Sequence, residues 1–287
     1  MRTGSSRRSA GAIGLIAAVV LSAGIAACGD DEEEGSKAQT LAVSVDAQNK
    51  LQGVKAVESG AVQIDFENQA KLDYDLQLVR VDGNQTAADV LKVTNSEGEE
   101  GKPIPSWLHG AGGNGTVKGG NSSTSTQVLE EGNYFVVAAP EGENAPKPVT
   151  AALKVQGGEG GGELPSTDGT VTARDYSFET SGLKPGKNTI TFDNTGKELH
   201  HVIAAPISPG KTLADVKKFA TSDNQNARPP IEFEQVTSTA VLDGGTKQVT
   251  QLNLKKPGNY ALLCFITDRA GGPPHVAKGM VSEVKVG

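Results

Sequence analysis

Along both halves of the chain, apolar positions alternate with polar ones instead of recurring every third or fourth residue. Val62, Ile64 and Phe66 alternate with Gln63, Asp65 and Glu67, and Ile190 and Phe192 alternate with Thr189, Thr191 and Asp193. A period of two describes strands with one buried face. Turn formers punctuate them: Lys184-Pro185-Gly186, Asp193-Asn194-Thr195-Gly196, Ser208-Pro209-Gly210, Asp243-Gly244-Gly245 and Lys256-Pro257-Gly258. One patch of the second half has helical character, Thr212 to Phe219, with Thr212 as N-cap and Asp215 at the capping-box position. Many short strands with one short helix per half predict an all-β fold of two tandem sandwiches.

The halves are also copies of one another. Gly60 and Gly186 are 126 residues apart, and the same offset relates Val45 to Val171, Ile64 to Ile190, Phe66 to Phe192, Asn68 to Asn194, Lys71 to Lys197, Thr86 to Thr212 and Asp89 to Asp215. It returns without drift at Gly132-Asn133-Tyr134 and Gly258-Asn259-Tyr260. Between the copies, residues 157–166 are Gly-rich and almost without apolar content, as in a flexible linker. The expected domains are therefore 41–156 and 167–287.

At the N-terminus, Arg2, Arg7 and Arg8 precede an apolar run from Ala10 to Ala27, the pattern of a secretory signal. The ending Ala26-Ala27-Cys28, followed by Gly29 and a run of acids, resembles a bacterial lipobox. That implies a signal peptide over 1–27, lipidation at Cys28 and a solvated acidic tether over 28–40. The competing reading is an uncleaved membrane anchor, for which the span is short. Arg7-Arg8 is a weak twin-arginine signal, and Sec export is equally open. Either way the expected location is extracytoplasmic, on the bacterial cell membrane. The formal net charge of −7 and the lack of a basic run beyond the signal argue against nucleic acid as a partner.

After lipidation Cys264 is the one thiol left, so no disulfide can form within the chain. It ends an apolar run, Tyr260 to Leu263, and is followed by His275 and Met280, with His200 and His201 upstream. Taken singly, a buried Cys or Met is usually a core residue. Taken together, a thiolate, imidazoles and a thioether are the donors of a blue-copper site. The repeat separates the two adjacent histidines. In the first half Tyr74, Leu76 and Leu78 share the buried parity while Asp75 and Gln77 point to water. At the same offset His200, Val202 and Ala204 point inward and His201 outward. The first half has Tyr74 in place of His200 and Ala138 in place of Cys264, so it is expected to hold no metal. His109 is expected at the surface, and Gly110-Ala111-Gly112-Gly113-Asn114-Gly115 formally matches a nucleotide-loop pattern without the strand and helix that would support it.

The order of an Asn-containing turn before a His, then a Tyr-containing strand ending in Cys, then His, then Met resembles that of the cupredoxins, the blue-copper Greek-key sandwiches. The motif is carried by Asn194 to His200, Tyr260 to Cys264, His275 and Met280. The resemblance implies tandem cupredoxin-like Greek-key sandwiches and one type 1 copper held by His200, Cys264, His275 and Met280. It also implies that Asn194 ties the two ligand loops together. The ten residues between Cys264 and His275 make a loop nearer in length to that of copper nitrite reductases than to that of small electron carriers.

The function expected on this basis is one-electron transfer with a redox partner protein, from a lipid anchor. Copper capture and delivery, with a donor or acceptor protein as partner, uses the same residues and stays open, as does a metal-free interaction module. Two-domain cupredoxins include enzymes, but those need further copper held by many more histidines. With four histidines in total the chain cannot build a trinuclear centre, and a second copper would require His109 and His201 to converge. No enzymatic activity is expected.

Overall fold

The structure, a computed structural model, describes residues 38–94, 101–142, 144–158, 161–222 and 228–287. The expected signal peptide, Cys28 and most of the acidic tether lie outside the described residues. In the first half, β1 (Gln39–Val45), β2 (Leu51–Gln52), β3 (Val57–Glu58), β4 (Gly60–Asn68) and β5 (Tyr74–Val81) precede a short helix, α1 (Ala87–Thr94). They are followed by β6 (Leu108–Val117), β7 (Ser122–Leu129), β8 (Gly132–Pro140) and β9 (Val149–Gln156). In the second half come β10 (Gly169–Arg174), β11 (Ser177–Ser181), β12 (Gly186–Asn194), β13 (Ile203–Pro206) and α2 (Leu213–Ala220). The chain ends with β14 (Thr237–Ser238), β15 (Thr246–Leu254), β16 (Gly258–Leu263) and β17 (Val281–Val286).

The repeat is visible in the coordinates. β4 and β12 are both nine residues long and begin 126 positions apart, as α1 and α2 do at eight residues each. Both helices open on the same reciprocal cap. Thr86 and Asp89 exchange hydrogen bonds at the start of α1, and Thr212 and Asp215 do so at the start of α2, as expected from the sequence. Tyr134 donates to Glu130 O and Tyr260 to Lys256 O, each at 3.0 Å. These buried rings would otherwise leave a hydroxyl unpaired.

One five-stranded sheet, in the order β3-β9-β8-β5-β6, belongs to the first half, and one four-stranded sheet, β14-β13-β16-β17, to the second. The opposing layers of the two sandwiches are continuous: β11-β10-β12-β15-β7-β4-β1-β2 form a single eight-stranded sheet. The join is the short antiparallel pairing of β7 with β15, Gln127 opposite Gln248 and Thr126 opposite Val249. Each half keeps its own core. In the first, Ile64, Phe66, Leu76, Leu78, Val136 and Leu153 pack between the sheets. In the second, Ile190, Phe192, Ala204, Leu252, Tyr260 and Leu262 do so, together with Cys264 and Met280. Phe66 and Phe192, 126 apart and both fully buried, each contribute about 1.5–3 kcal/mol by leaving water.

The contact between the halves explains Gln77, whose role differs from expectation, and the glycine run after His109. Gln77, on the parity expected to face water, instead meets the second half: its amide nitrogen donates to Val241 O at 3.0 Å and its carbonyl accepts from Val241 N at 2.7 Å. The glycine run after His109 lies inside β6, because the second half comes close to its backbone. A Cβ on Gly115, at φ +63, would sit 2.3 Å from Ser238 O.

Candidate metal centre

Cys264 follows β16 and keeps its alternation, so Tyr260, Leu262 and Cys264 all point into the second core. The next residues fold back in a ladder of turn bonds. Val276 N donates to Cys264 O at 2.7 Å, His275 N to Ile266 O at 2.8 Å and Met280 N to His275 O at 2.9 Å. These bonds draw Cys264, His275 and Met280 into a single folded loop before β17 begins. His200 is pinned from the other side, exchanging backbone bonds with Leu242 at 3.0 and 2.9 Å. The parity argument for the adjacent histidines holds: His200 is fully buried, as are Val202 and Ala204, whereas His201 is half-buried and accepts from Phe265 N at 3.0 Å.

The structure brings His200, Cys264 and His275 together, with all three donor atoms within 4.8 Å of one another. Cys264 Sγ is 3.7 Å from His200 Nδ1 and 3.5 Å from His275 Nδ1, and the two Nδ1 atoms are 3.0 Å apart. Met280 is fully buried in the same core cluster as Cys264.

The outward edges of both rings are occupied. His200 Nε2 is 3.3 Å from Asp175 Oδ1, and His275 Nε2 is 3.0 Å from Asp268 Oδ1. Burial works to raise Asp175, but the N–H groups of Lys197 and Glu198 and the His200 ring outweigh it and hold the carboxyl below its usual range. Asp268 is likewise lowered against its burial, by Lys278, Tyr176 and His275. A carboxylate only accepts, so each Nε2 is the protonated nitrogen. Desolvation keeps both rings neutral, lowering His200 and, with the neighbouring His200 ring, taking His275 down to about 4. Burial pushes the Cys264 thiol up to about 12, against backbone N–H groups of His201 and Ile266 that favour the thiolate.

Two bare nitrogen lone pairs therefore face each other across 3.0 Å beside a sulfur. The Cys264 thiol has one proton to offer and can satisfy only one of these lone pairs, so the two buried nitrogens still oppose each other unless a cation lies among them. Two imidazoles, a cysteine sulfur and a nearby thioether are the donors of a type 1 copper site, and the residues present fit one such ion, between the two sheets of a β-sandwich.

The supporting residues escaped the sequence reading. Asp175 and Tyr176 form the two-residue turn between β10 and β11. Tyr176 is in the left-handed region at φ +70, a conformation that costs a bulky residue about 1–2 kcal/mol. Its ring meets His275 edge-on with centroids 5.3 Å apart, its hydroxyl donates to Asp268 at 3.0 Å, and Lys278 pairs with Asp268 and lies over the same ring. A signal for Asp175 was present in the repeat, because it stands where the first half has Asn49.

Two other expectations come out differently. Asn194 does not reach the Cys264–Met280 loop. Its amide nitrogen donates to Glu198 O and Leu242 O, and its carbonyl accepts from Gly196 N. Asn68 makes the matching bonds with Leu72 O, Val117 O and Ala70 N in the half that lacks the ligands, so the asparagine serves the turn itself. His109 is not a plain surface residue: it lies between Asp82 and Asp243 at 2.9 and 2.8 Å. The long loop after Cys264 is closed by the first half. Arg269 reaches Asp243 at 2.5 Å and Leu108 O at 3.1 Å, and its carbonyl accepts from Ile104 N.

No family model and no curated protein matches the sequence. Among solved structures, auracyanin A, a blue copper protein from Chloroflexus aurantiacus, is 15% identical over 42% of this chain and 100% of its own, with a TM-score of 0.33. Dithionite-reduced auracyanin from Roseiflexus castenholzii is 22% identical over 41% and 94%, with a TM-score of 0.27. Blue copper oxidase from Nitrosomonas europaea is 11% identical over 87% and 86%, with a TM-score of 0.25.

Proposed function

We propose that the chain is a lipid-anchored, extracytoplasmic one-electron carrier that holds a single copper through His200, Cys264, His275 and Met280. The observation that carries this reading is the convergence of two histidine Nδ1 atoms and Sγ within 4.8 Å, all on fully buried residues. A copper ion bound there would be held by His200, Cys264, His275 and Met280 and would supply a one-electron couple that two imidazoles, one thiolate and a thioether suit in both oxidation states. The protein's share is to fix the imidazoles, exclude water around Cys264 and keep the donors rigid. Delivery of copper to another protein is less well served, because all four donor residues are at 0% exposure and handing over the ion would require the site to open. A multicopper enzyme is disfavoured because His109 and His201 are already engaged with Asp82, Asp243 and Phe265. Attachment to a membrane through Cys28 rests on the N-terminal sequence.

Purified full-length protein titrated with Cu(II) should turn intensely blue through thiolate-to-copper charge transfer and cycle reversibly in voltammetry. A colourless product with one equivalent of copper would sink the reading. Ready loss of that copper to an acceptor protein, without reversible cycling, would favour delivery.

A further inference from the structure

The two halves contain the same contact in two chemical versions. In the first, Tyr74 Oη donates to Asn49 Oδ1 at 2.7 Å. In the second, 126 residues on, His200 Nε2 meets Asp175 Oδ1 at 3.3 Å. An amide suffices where a tyrosine must be supported; a carboxylate stands where the supported residue is a histidine of the donor set. The other histidine of the set, His275, has a carboxylate too, Asp268 at 3.0 Å, supplied by a different element, the loop after Cys264. Both carboxylates are partly buried, so their charge is incompletely screened. Asp175 is held by the N–H groups of Lys197 and Glu198, and Asp268 by Tyr176 and Lys278, whose ammonium offsets part of its charge.

We propose that Asp175 and Asp268 are positioning residues that hold both imidazoles as the Nε2–H tautomer and, through their negative charge, lower the reduction potential of the centre. This rests on the copper reading above. A hydrogen-bonded carboxylate fixes the ring, presents Nδ1 as the free lone pair and makes it more basic. A negative charge close to the site favours Cu(II) over Cu(I), and so opposes reduction. Replacing a carboxylate by an amide keeps a hydrogen-bond acceptor and removes the charge. D175N restores to the second half the side chain that the first half uses at this position.

The test compares full-length wild type, D175N and D268N by copper-loaded redox titration and by histidine-selective ¹⁵N NMR of the metal-free chain. The metal-free wild type should show both rings as Nε2–H. Each variant should stay blue, while its Cu(I)-to-Cu(II) affinity ratio rises about tenfold, equivalent to about 59 mV for one electron. D268E, which keeps the charge, should return most of the shift. Blue variants with unmoved potentials, or Nδ1–H rings in the metal-free wild type, would overturn the inference while leaving the copper reading standing. A wild type that stays colourless with Cu(II) overturns both. If D175N fails to fold, because Asp175 also binds two backbone N–H groups, D268N and D268E decide.

Discussion

Nδ1 of His200 lies 3.0 Å from Nδ1 of His275, and Nε2 of each ring lies against its own aspartate. The metal-free site is thus two neutral imidazoles facing a thiol that burial keeps protonated until about pH 12. Metal binding must then expel the thiol proton. His275 ionises only at about 4 and burial also holds His200 below the usual imidazole range, so from about pH 7 to 9 the thiol alone supplies the exchanged proton. Apparent Cu(II) affinity should rise about tenfold per pH unit across that window. Below it the slope should steepen as the imidazoles also protonate. Calorimetry in buffers of different ionisation enthalpy should count about one proton released at pH 7; none released would mean the thiolate pre-exists.

Cys264 and His201 make opposite predictions although Phe265 N, next to Cys264, is bonded to His201 Nε2. Cys264→Ala should abolish the blue band outright, since the charge-transfer donor is gone. His201→Ala leaves all four donors in place and removes one hydrogen bond worth about 1 kcal/mol, so colour should persist with a modest loss of stability. Visible spectra of the two copper-loaded variants check this, and loss of the band in His201→Ala would mean the wrong imidazole has been assigned.

The alternation of Val62, Ile64 and Phe66, the caps at Thr86 and Thr212, and the inward parity of His200 beside the more exposed His201 were legible because each depends on local periodicity. The donor set was legible because Cys264, His275 and Met280 are close in sequence. Gln77 and His109 were misread for one physical reason: each faces the other half, and no period within a strand reports a neighbour more than 100 residues away. Asp268 and Tyr176 were hidden in the same way, since a loop aspartate or a turn tyrosine looks solvated until the fold places an imidazole beside it.

Asn68 and Asn194 should cost the same when removed. Each is fully buried and bonds two carbonyls and one N–H of its turn. Truncation to Ala would leave those groups unsatisfied, at about 2–4 kcal/mol in either half. Urea unfolding of the metal-free variants measures this. A much larger effect of Asn194→Ala on the absorption maximum than on stability would show that the asparagine serves the metal after all.

Arg269 joins the loop between Cys264 and His275 to the first half through Leu108 O and to its own half through Asp243, while its own N–H donates to Glu198 at 2.7 Å. Arg269→Ala keeps the backbone bonds and removes the side-chain clamp. The donor set is untouched, so the colour should be unchanged. The loop should open more often, and loss of copper to a strong chelator should quicken several-fold, by about 1 kcal/mol of lost restraint. Stopped-flow bleaching gives the rate directly; an unchanged rate would mean that the Arg269 side chain does not hold the loop closed.

Gly196 offers the most local test of the supporting contacts, because its backbone stays outside the left-handed region and only space is at issue. A Cβ there would lie 2.4 Å from Asp175 Oδ1 and 3.1 Å from His200 Nε2. The first distance is impossible for real atoms, so Asp175 must leave His200, and with it the N–H groups of Lys197 and Glu198 lose a shared acceptor. The ring would be free to rotate away from the donor geometry while the ligand itself remains. Gly196→Ala should therefore weaken copper binding by about 10–100-fold, the usual cost of losing a partner behind a ligand histidine. Because the position is glycine for close approach and not for backbone conformation, Gly196→Ser should do the same. Chelator competition measures the affinity, and wild-type affinity in both variants would mean that Asp175 does not hold His200.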